Sequence, residues 1–419
     1  MSASQSNAQA ATCPVPHLDS PVTPDSERVP LYAPEFATDP HNAYRALRDR
    51  YGSMVPVDVA PGVPATLVIG YRTAVRILHD PERFPADPRT WERDLPSDCP
   101  VLPVMGWRPN AQHSAGLEHH RYRQVNTASL DAVDRHAMHA TVEQIAVPLI
   151  DSFCETGTAD LISQYAFPLV FDSVNALLGC PPEIGRRIAA GISAVIESVD
   201  STEGNAMLAE ALMELVVLKR EQPGDDVASR VLQHPAALDD MEALHQLAAL
   251  YGAGSEPLQN LIVKTMLLIL VDERFAGDVL DGRLSTRDAL DEVLFNDPPL
   301  ANMCFTYPRQ PILIDGVWLP AHQPVIIGIA ACNNDPAVNT GDRVGNRSHL
   351  AWSIGPHACP AQSVGYQIAE DAIDQLLDAL PELKLAIPAD ELVWRPGPFH
   401  RALAALPVTF PPSSASTTL

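Results

Sequence analysis

The chain has 419 residues, with 52 Asp and Glu against 28 Lys and Arg and a formal charge of −24. That length exceeds the ~250–300 residues at which a single core stops growing, and the acidic balance opposes nucleic-acid binding by general electrostatics. The seven cysteines (Cys13, Cys99, Cys154, Cys180, Cys304, Cys332 and Cys359) are scattered, odd in number and without a CxxC pair, which argues against a disulfide framework and against a structural zinc site.

Residues 1–28 and 412–419 are rich in Ser, Thr, Pro and Ala without periodicity and read as mobile ends, leaving residues 29–411 as one domain with a β-rich and an α-rich portion. The N-terminus has no basic-then-apolar pattern, and the densest apolar run, "MLLILV" at 266–271, is far below the ~20 residues of a membrane span. A cytoplasmic protein with no membrane contact is the expectation. "DPHNAYRALRDRYG" predicts a helix entered at Asp39 and stopped by Gly52, followed by two strands joined by a Pro-Gly turn in "VPVDVAPGVPATLVIGY". From Glu118 to Val271 apolar residues recur at three and four spacing, and the run from Met241 to Val271 predicts the longest helix. "STRDALDEVLFNDPP" predicts a compact helix with Ser285 as N-cap, Asp288 as its capping-box acid and Pro298-Pro299 as the stop. Strand signals return in "QPILIDGVWLPAHQPVIIGIAA" and "LVWRPGPFHRALAALPVTF". The fold class is therefore mainly α with a minor β part.

The stretch "WSIGPHACPAQSVGYQIAEDAIDQLLDAL" places Cys359 where an N-cap would stand, Pro360 at the first helical position, and Ala361, Val364, Ile368, Ala372 and Leu376 on one apolar stripe behind them. A helix N-terminus favours a thiolate over a thiol, making the sulfur a soft metal ligand or a nucleophile. An inert buried cysteine at a helix entry satisfies the same local pattern. In "GLEHHRYRQ", His119 and Arg123 stand at i and i+4, so both can clamp one anion, or simply form a solvated basic face. Gly252 and Gly254 inside the longest helix each cost about 1 kcal/mol against alanine and call for a reason, which the close approach of something flat supplies.

These residues resemble the cytochrome P-450 family. "WSIGPHACPA" is similar to its haem-binding loop, Phe-Gly-x-Gly-x-His/Arg-x-Cys-x-Gly, with Gly355, His357 and Cys359 matching and Trp352, Ser353 and Ala361 departing. The resemblance implies a P-450-like triangular prism with haem b between a long central helix and the cysteine loop. It makes Cys359 the axial thiolate, and it places His119, Arg123 and His357 on haem propionates. "GAGSEPLQN" resembles the family's oxygen-binding stretch, with Ala253, Gly254 and Glu256 matching. Coverage runs over about residues 28–411, and the chain resembles an actinobacterial subset of the family.

Two departures bear on chemistry. Pro257 stands where the family has a threonine whose hydroxyl helps deliver protons to dioxygen. Proline has no exchangeable proton, but it frees the Ala253 carbonyl to hold a water through which Glu256 could relay protons, and Ser255 is another nearby hydroxyl. The family's Glu-x-x-Arg becomes Glu292-Val293-Leu294-Phe295, so Glu292 needs another cation, for which Arg343 or Arg347 is the expectation. Thr306 stands where an arginine often holds a propionate, with Arg309 nearby.

The implied function is monooxygenation of a small natural-product substrate, a secondary metabolite, with O2 and electrons from a ferredoxin and ferredoxin reductase. Arg121, Arg123, Arg343 and Arg347 are the candidates for a docking patch that such an acidic partner would need. Pro257 motivates an alternative haem-thiolate chemistry without dioxygen splitting: peroxygenase, isomerase or dehydratase, group transfer or radical coupling. A degenerate haem-binding partner protein is the third reading. The resemblance places the pocket at the loop from about Arg89 to Ser114, the helix pair near Cys180 to Asn205, Leu250, Gly254, Met303, Cys304 and Phe399.

Overall fold

The computed structural model describes residues 27–197, 202–274, 285–338 and 346–415. Residues 1–26 and 416–419 of the segments expected to be mobile, together with Arg343 and part of the expected Cys180–Asn205 helix pair, lie outside the described residues.

The first expected helix runs Pro40–Tyr51, where the Asp39 carboxylate accepts the Asn42 N–H at 3.1 Å and Gly52 ends it at φ 74°. Met54–Ala60 and Val63–Val68 then pair antiparallel across the Pro61-Gly62 turn. They are the centre of a five-stranded sheet in the order Val29–Pro30, Met54–Ala60, Val63–Val68, Val325–Gly328, Asn302–Thr306. Alternate side chains leave opposite faces, so Val55, Val57, Leu67 and Ile326 enter one core cluster while Met54, Val68 and Ile327 enter another with Ile77, Leu78 and Leu350. Both faces are covered, which is why these strands read as nearly continuous apolar runs rather than as alternation.

The larger core is helical. The long helix spans Asp240–Val271, 32 residues or about 48 Å, entered through a capping box in which the Asp239 carboxylate accepts the Glu242 N–H and the Glu242 carboxylate accepts the Asp239 N–H. It packs on the helices Phe167–Leu178, Thr286–Asn296 and Gln362–Ala379. Ser285 caps Thr286–Asn296 and Asp288 completes its box, as the sequence predicts.

The helix after the cysteine differs from the expectation. It begins at Gln362 with Ala361 as cap, so Cys359 and Pro360 stand in the preceding loop rather than at the cap and first turn. The Cys359 N–H donates back to the Trp352 carbonyl at 2.7 Å, which keeps the residue in the loop and postpones the helix. Val364, Ile368, Ala372 and Leu376 form the buried stripe.

Gly355 opens a short 3-10 turn, Gly355–His357, at φ 72°. A Cβ there would collide with the Leu78 carbonyl oxygen, at the end of the helix Tyr71–Leu78. Glycine is required both for the left-handed backbone and for the contact. Gly62 shares the positive φ, 73°, but a Cβ there meets nothing within 4 Å. Urea unfolding should therefore show Gly62→Ala costing about 1–2 kcal/mol, the left-handed penalty alone. Gly355→Ala should cost more than about 4 kcal/mol, because the loop must also leave the helix end. Equal losses at the two sites would remove the close approach as the reason for Gly355.

Candidate active site

One cavity collects most of the residues singled out above. The long helix contributes Leu250, Ala253, Gly254 and Pro257, the cysteine loop contributes Trp352, Ser353, His357 and Cys359, and the strand after the Ser285 helix contributes Met303, Cys304 and Thr306. Its wall is mainly apolar, and its polar side chains include Gln112, His113, Arg123 and Asn126.

Arg123 and His119 share one face of the helix Gly116–Asp131, and the His119 ring lies on that of His357, with centroids 4.0 Å apart and planes at 34°. Burial drives His119 down to about 4, helped by Arg123 and His120, and drives His357 down to about 3, helped by His119 and Arg123. Burial also lowers the Arg123 guanidinium, against the opposing pull of Cys359 and Asp131. His119 Nε2 is buried without a hydrogen-bond partner, and no ion pair to Arg123 forms among the described residues. Three basic groups are thus crowded together and desolvated, an arrangement that an anion placed among them would relieve. The carboxylates of a haem have the chemistry to do so.

Cys359 faces the same cavity. Burial raises its thiol above the ordinary value, while the Ala361 N–H and Arg123 pull it down. This corrects the expectation that a helix end alone keeps the sulfur ionised, since the helix starts too late and burial wins. A metal bound at the sulfur would stabilise the thiolate and let the proton leave to solvent. Ser353, where the resemblance expects a glycine, adopts φ 56°, a left-handed conformation that glycine enters without strain. Ala361, at the last glycine position, has φ −97° and is unstrained. The residues present therefore fit a haem: a soft donor on one wall, glycine-thinned backbone on another, and an unneutralised basic cluster beside them.

The long helix is continuous through Pro257, which removes the N–H that the Ala253 carbonyl would accept. Ala253, Gly254 and Pro257 line the cavity, but Glu256 does not; its carboxylate accepts from Arg395 Nη2 at 3.0 Å on a half-exposed surface. Ser255 Oγ is buried without a partner. Gly252 is exposed, and a Cβ at that position would meet nothing within 4 Å, so no close approach explains it; Gly254 lines the cavity, and a Cβ there would touch Val174 Cγ2 at 3.5 Å.

Several expected partners are replaced. Arg347 does not pair with Glu292; its Nε donates to Asp291 at 2.7 Å. Glu292 lies 3.6 Å from Arg274 and accepts from Asn296 Nδ2 at 2.6 Å. Arg121 is engaged by Glu242 and by the Ala236 and Ala237 carbonyls, so neither Arg121 nor Arg347 is a free docking charge. Phe399 does not line the cavity but packs edge-on against Phe305, which does. Thr306 reaches the cavity, and its hydroxyl donates to the Val325 carbonyl at 3.4 Å. Asp291, Tyr366, Arg395, His113 and Asn126 were not singled out from the sequence. Only Asp291 carried a local signal, as the first acid of the doublet beside the departing motif.

No family model matches the chain. Among curated proteins it is 28% identical to 2-hydroxy-5-methyl-1-naphthoate 7-hydroxylase of Streptomyces carzinostaticus, over 90% of this chain and 96% of that one. It is also 28% identical to the cytochrome P450 monooxygenase PikC of Streptomyces venezuelae, over 89% and 92%. The fold matches the tirandamycin C-bound P450 monooxygenase TamI with a TM-score of 0.81 and 25% identity, covering 91% of this chain and all of that one. With near full-length similarity to such enzymes, and with Cys359, Arg123, His357 and a glycine-bearing long helix meeting at one cavity, the chain belongs to the cytochrome P-450 family of haem monooxygenases.

Proposed function

We propose that residues 29–411 form one catalytic domain that binds haem b and oxidises a small apolar natural product in the cytoplasm, using O2 and electrons from a ferredoxin and its reductase. The observation that carries this reading is the pairing, within one apolar cavity, of the Cys359 thiol with Arg123 and His357, beside which His119 Nε2 is buried without a hydrogen-bond partner. When bound, haem supplies dioxygen activation through one-electron steps. Cys359 Sγ would hold the iron, and His119, Arg123 and His357 would hold the propionates. Leu250, Met303 and Cys304 present an apolar surface that excludes water and suits an uncharged substrate. No helix among the described residues is long and apolar enough to cross a membrane.

Proton delivery falls to the long helix. The Ala253 carbonyl oxygen, without a donor at position 257, can accept from a water at the cavity wall. Glu256 lies on the same turn and is tied to Arg395, so it can pass protons from the half-exposed surface to such a water. Pro257 also favours a second reading, oxidation driven by peroxide without reductant, because the hydroxyl that usually serves dioxygen is absent.

Two measurements check these assignments. Arg123→Leu should weaken haem retention by roughly ten- to hundredfold, the loss of a charge-assisted bond worth about 1.5–3 kcal/mol, in a transfer assay to apomyoglobin. Parent-like retention would remove Arg123 from the propionate site. Turnover with ferredoxin, its reductase and isotopically labelled dioxygen should give labelled product and stop without reductant. Unlabelled product formed from peroxide alone would replace the first reading with the second.

A further inference from the structure

The arginine missing from the Glu-x-x-Arg position leaves open how the helix Thr286–Asn296 grips the loop that carries Cys359. We propose that Asp291, rather than Glu292, is the positioning residue that fixes this loop to the helical core. Asp291 is only 6% exposed, and its carboxylate has partners on both sides of the cysteine in sequence. Before it, Arg347 Nε donates at 2.7 Å and His349 Nε2 lies 3.7 Å away; after it, the Tyr366 hydroxyl donates to the other oxygen. His349 Nε2 and the Tyr366 hydroxyl are themselves 3.2 Å apart, so the acid closes a ring of contacts between loop and terminal helix.

The aromatic neighbours complete the grip. Phe295, at the missing arginine's position, packs edge-on against His349 with centroids 5.1 Å apart at 88°. Trp352 lies 5.2 Å from the Tyr366 ring, and the Trp352 carbonyl accepts the Cys359 N–H. Arg287 stacks on Tyr366 with its guanidinium carbon 3.3 Å from the ring centroid. Asn333 adds a second tie, accepting the Leu350 N–H at 2.8 Å and donating to the Leu294 carbonyl at 2.9 Å. Burial alone would raise the Asp291 carboxyl, but His349, Tyr366 and Arg347 outweigh it and hold it ionised below its ordinary range. Glu292 reaches neither the loop nor the terminal helix through any of these contacts.

The inference rests on the haem-thiolate reading for its spectroscopic readout alone. The experiment compares Asp291→Ala, Tyr366→Phe, Arg347→Gln and Glu292→Gln in the full-length haem-loaded protein. At a temperature where far-ultraviolet circular dichroism shows parent-like helix, Asp291→Ala should convert most of the carbon monoxide-bound absorption from the thiolate type to the thiol type. Its folded-to-unfolded ratio in urea should fall by roughly tenfold or more. Tyr366→Phe should give an intermediate effect, and Glu292→Gln should match the parent in both. Parent-like behaviour of Asp291→Ala, or a larger effect from Glu292→Gln, overturns the proposal. If Asp291→Ala does not fold, Tyr366→Phe and Arg347→Gln decide, and parent-like spectra and stability in both overturn it. A parent without a thiolate band refutes the haem-thiolate reading instead; the urea comparison then judges Asp291 by itself, and equal stability of Asp291→Ala and Glu292→Gln counts against it.

Discussion

The structure turns on keeping one sulfur in a fixed place inside an apolar cavity. A buried thiol has no intrinsic reason to ionise, and Cys359 stands in a loop rather than on the end of a helix. Its position is held by the hydrogen bond of its own N–H to Trp352, by the glycine turn pressed on the Leu78 carbonyl, and by the side-chain tie from the Thr286–Asn296 helix through Asp291. Each acts on a different part of the loop, so the sulfur is placed by the intersection of three constraints.

Charge follows the same logic. The chain is strongly acidic overall, yet beside the cavity it gathers Arg123, His119 and His357, with no ion pair to Arg123 among the described residues and only the weaker pull of Asp131 and Cys359. Burying the Arg123 guanidinium without an ion pair is costly, and the same burial keeps the two imidazoles neutral, so an anion placed beside them would offset that cost. Two arginines that flank the long helix are engaged by acids, Arg121 by Glu242 and Arg395 by Glu256, whereas Arg123 on the cavity wall is not, among the described residues.

What could be read from sequence was what depends on local spacing. The Pro40–Tyr51 helix, the hairpin at Pro61-Gly62, the Ser285 capping box and the His119–Arg123 pair are set within a few residues and emerged where expected. Periodicity marked the long helix and a helix-entry pattern marked Cys359, and the resemblance gave both a role through short motifs. Contacts that join distant segments were hidden: Asp291 with Arg347 and Tyr366, Glu256 with Arg395, Phe399 with Phe305. No periodicity announces such pairs, since tertiary packing selects them. The misplaced helix start has a more local origin, because a loop-closing bond from the Cys359 N–H to the Trp352 carbonyl overrode the N-cap pattern.

The most direct test of iron ligation by Cys359 is the absorption spectrum of the reduced, carbon monoxide-bound protein, taken for the parent and for Cys359→Ala after haem loading. A red-shifted thiolate band is expected in the parent and should disappear in the variant, with bound haem still detectable. A band that survives the substitution, or a parent that takes up no haem, would contradict that ligation.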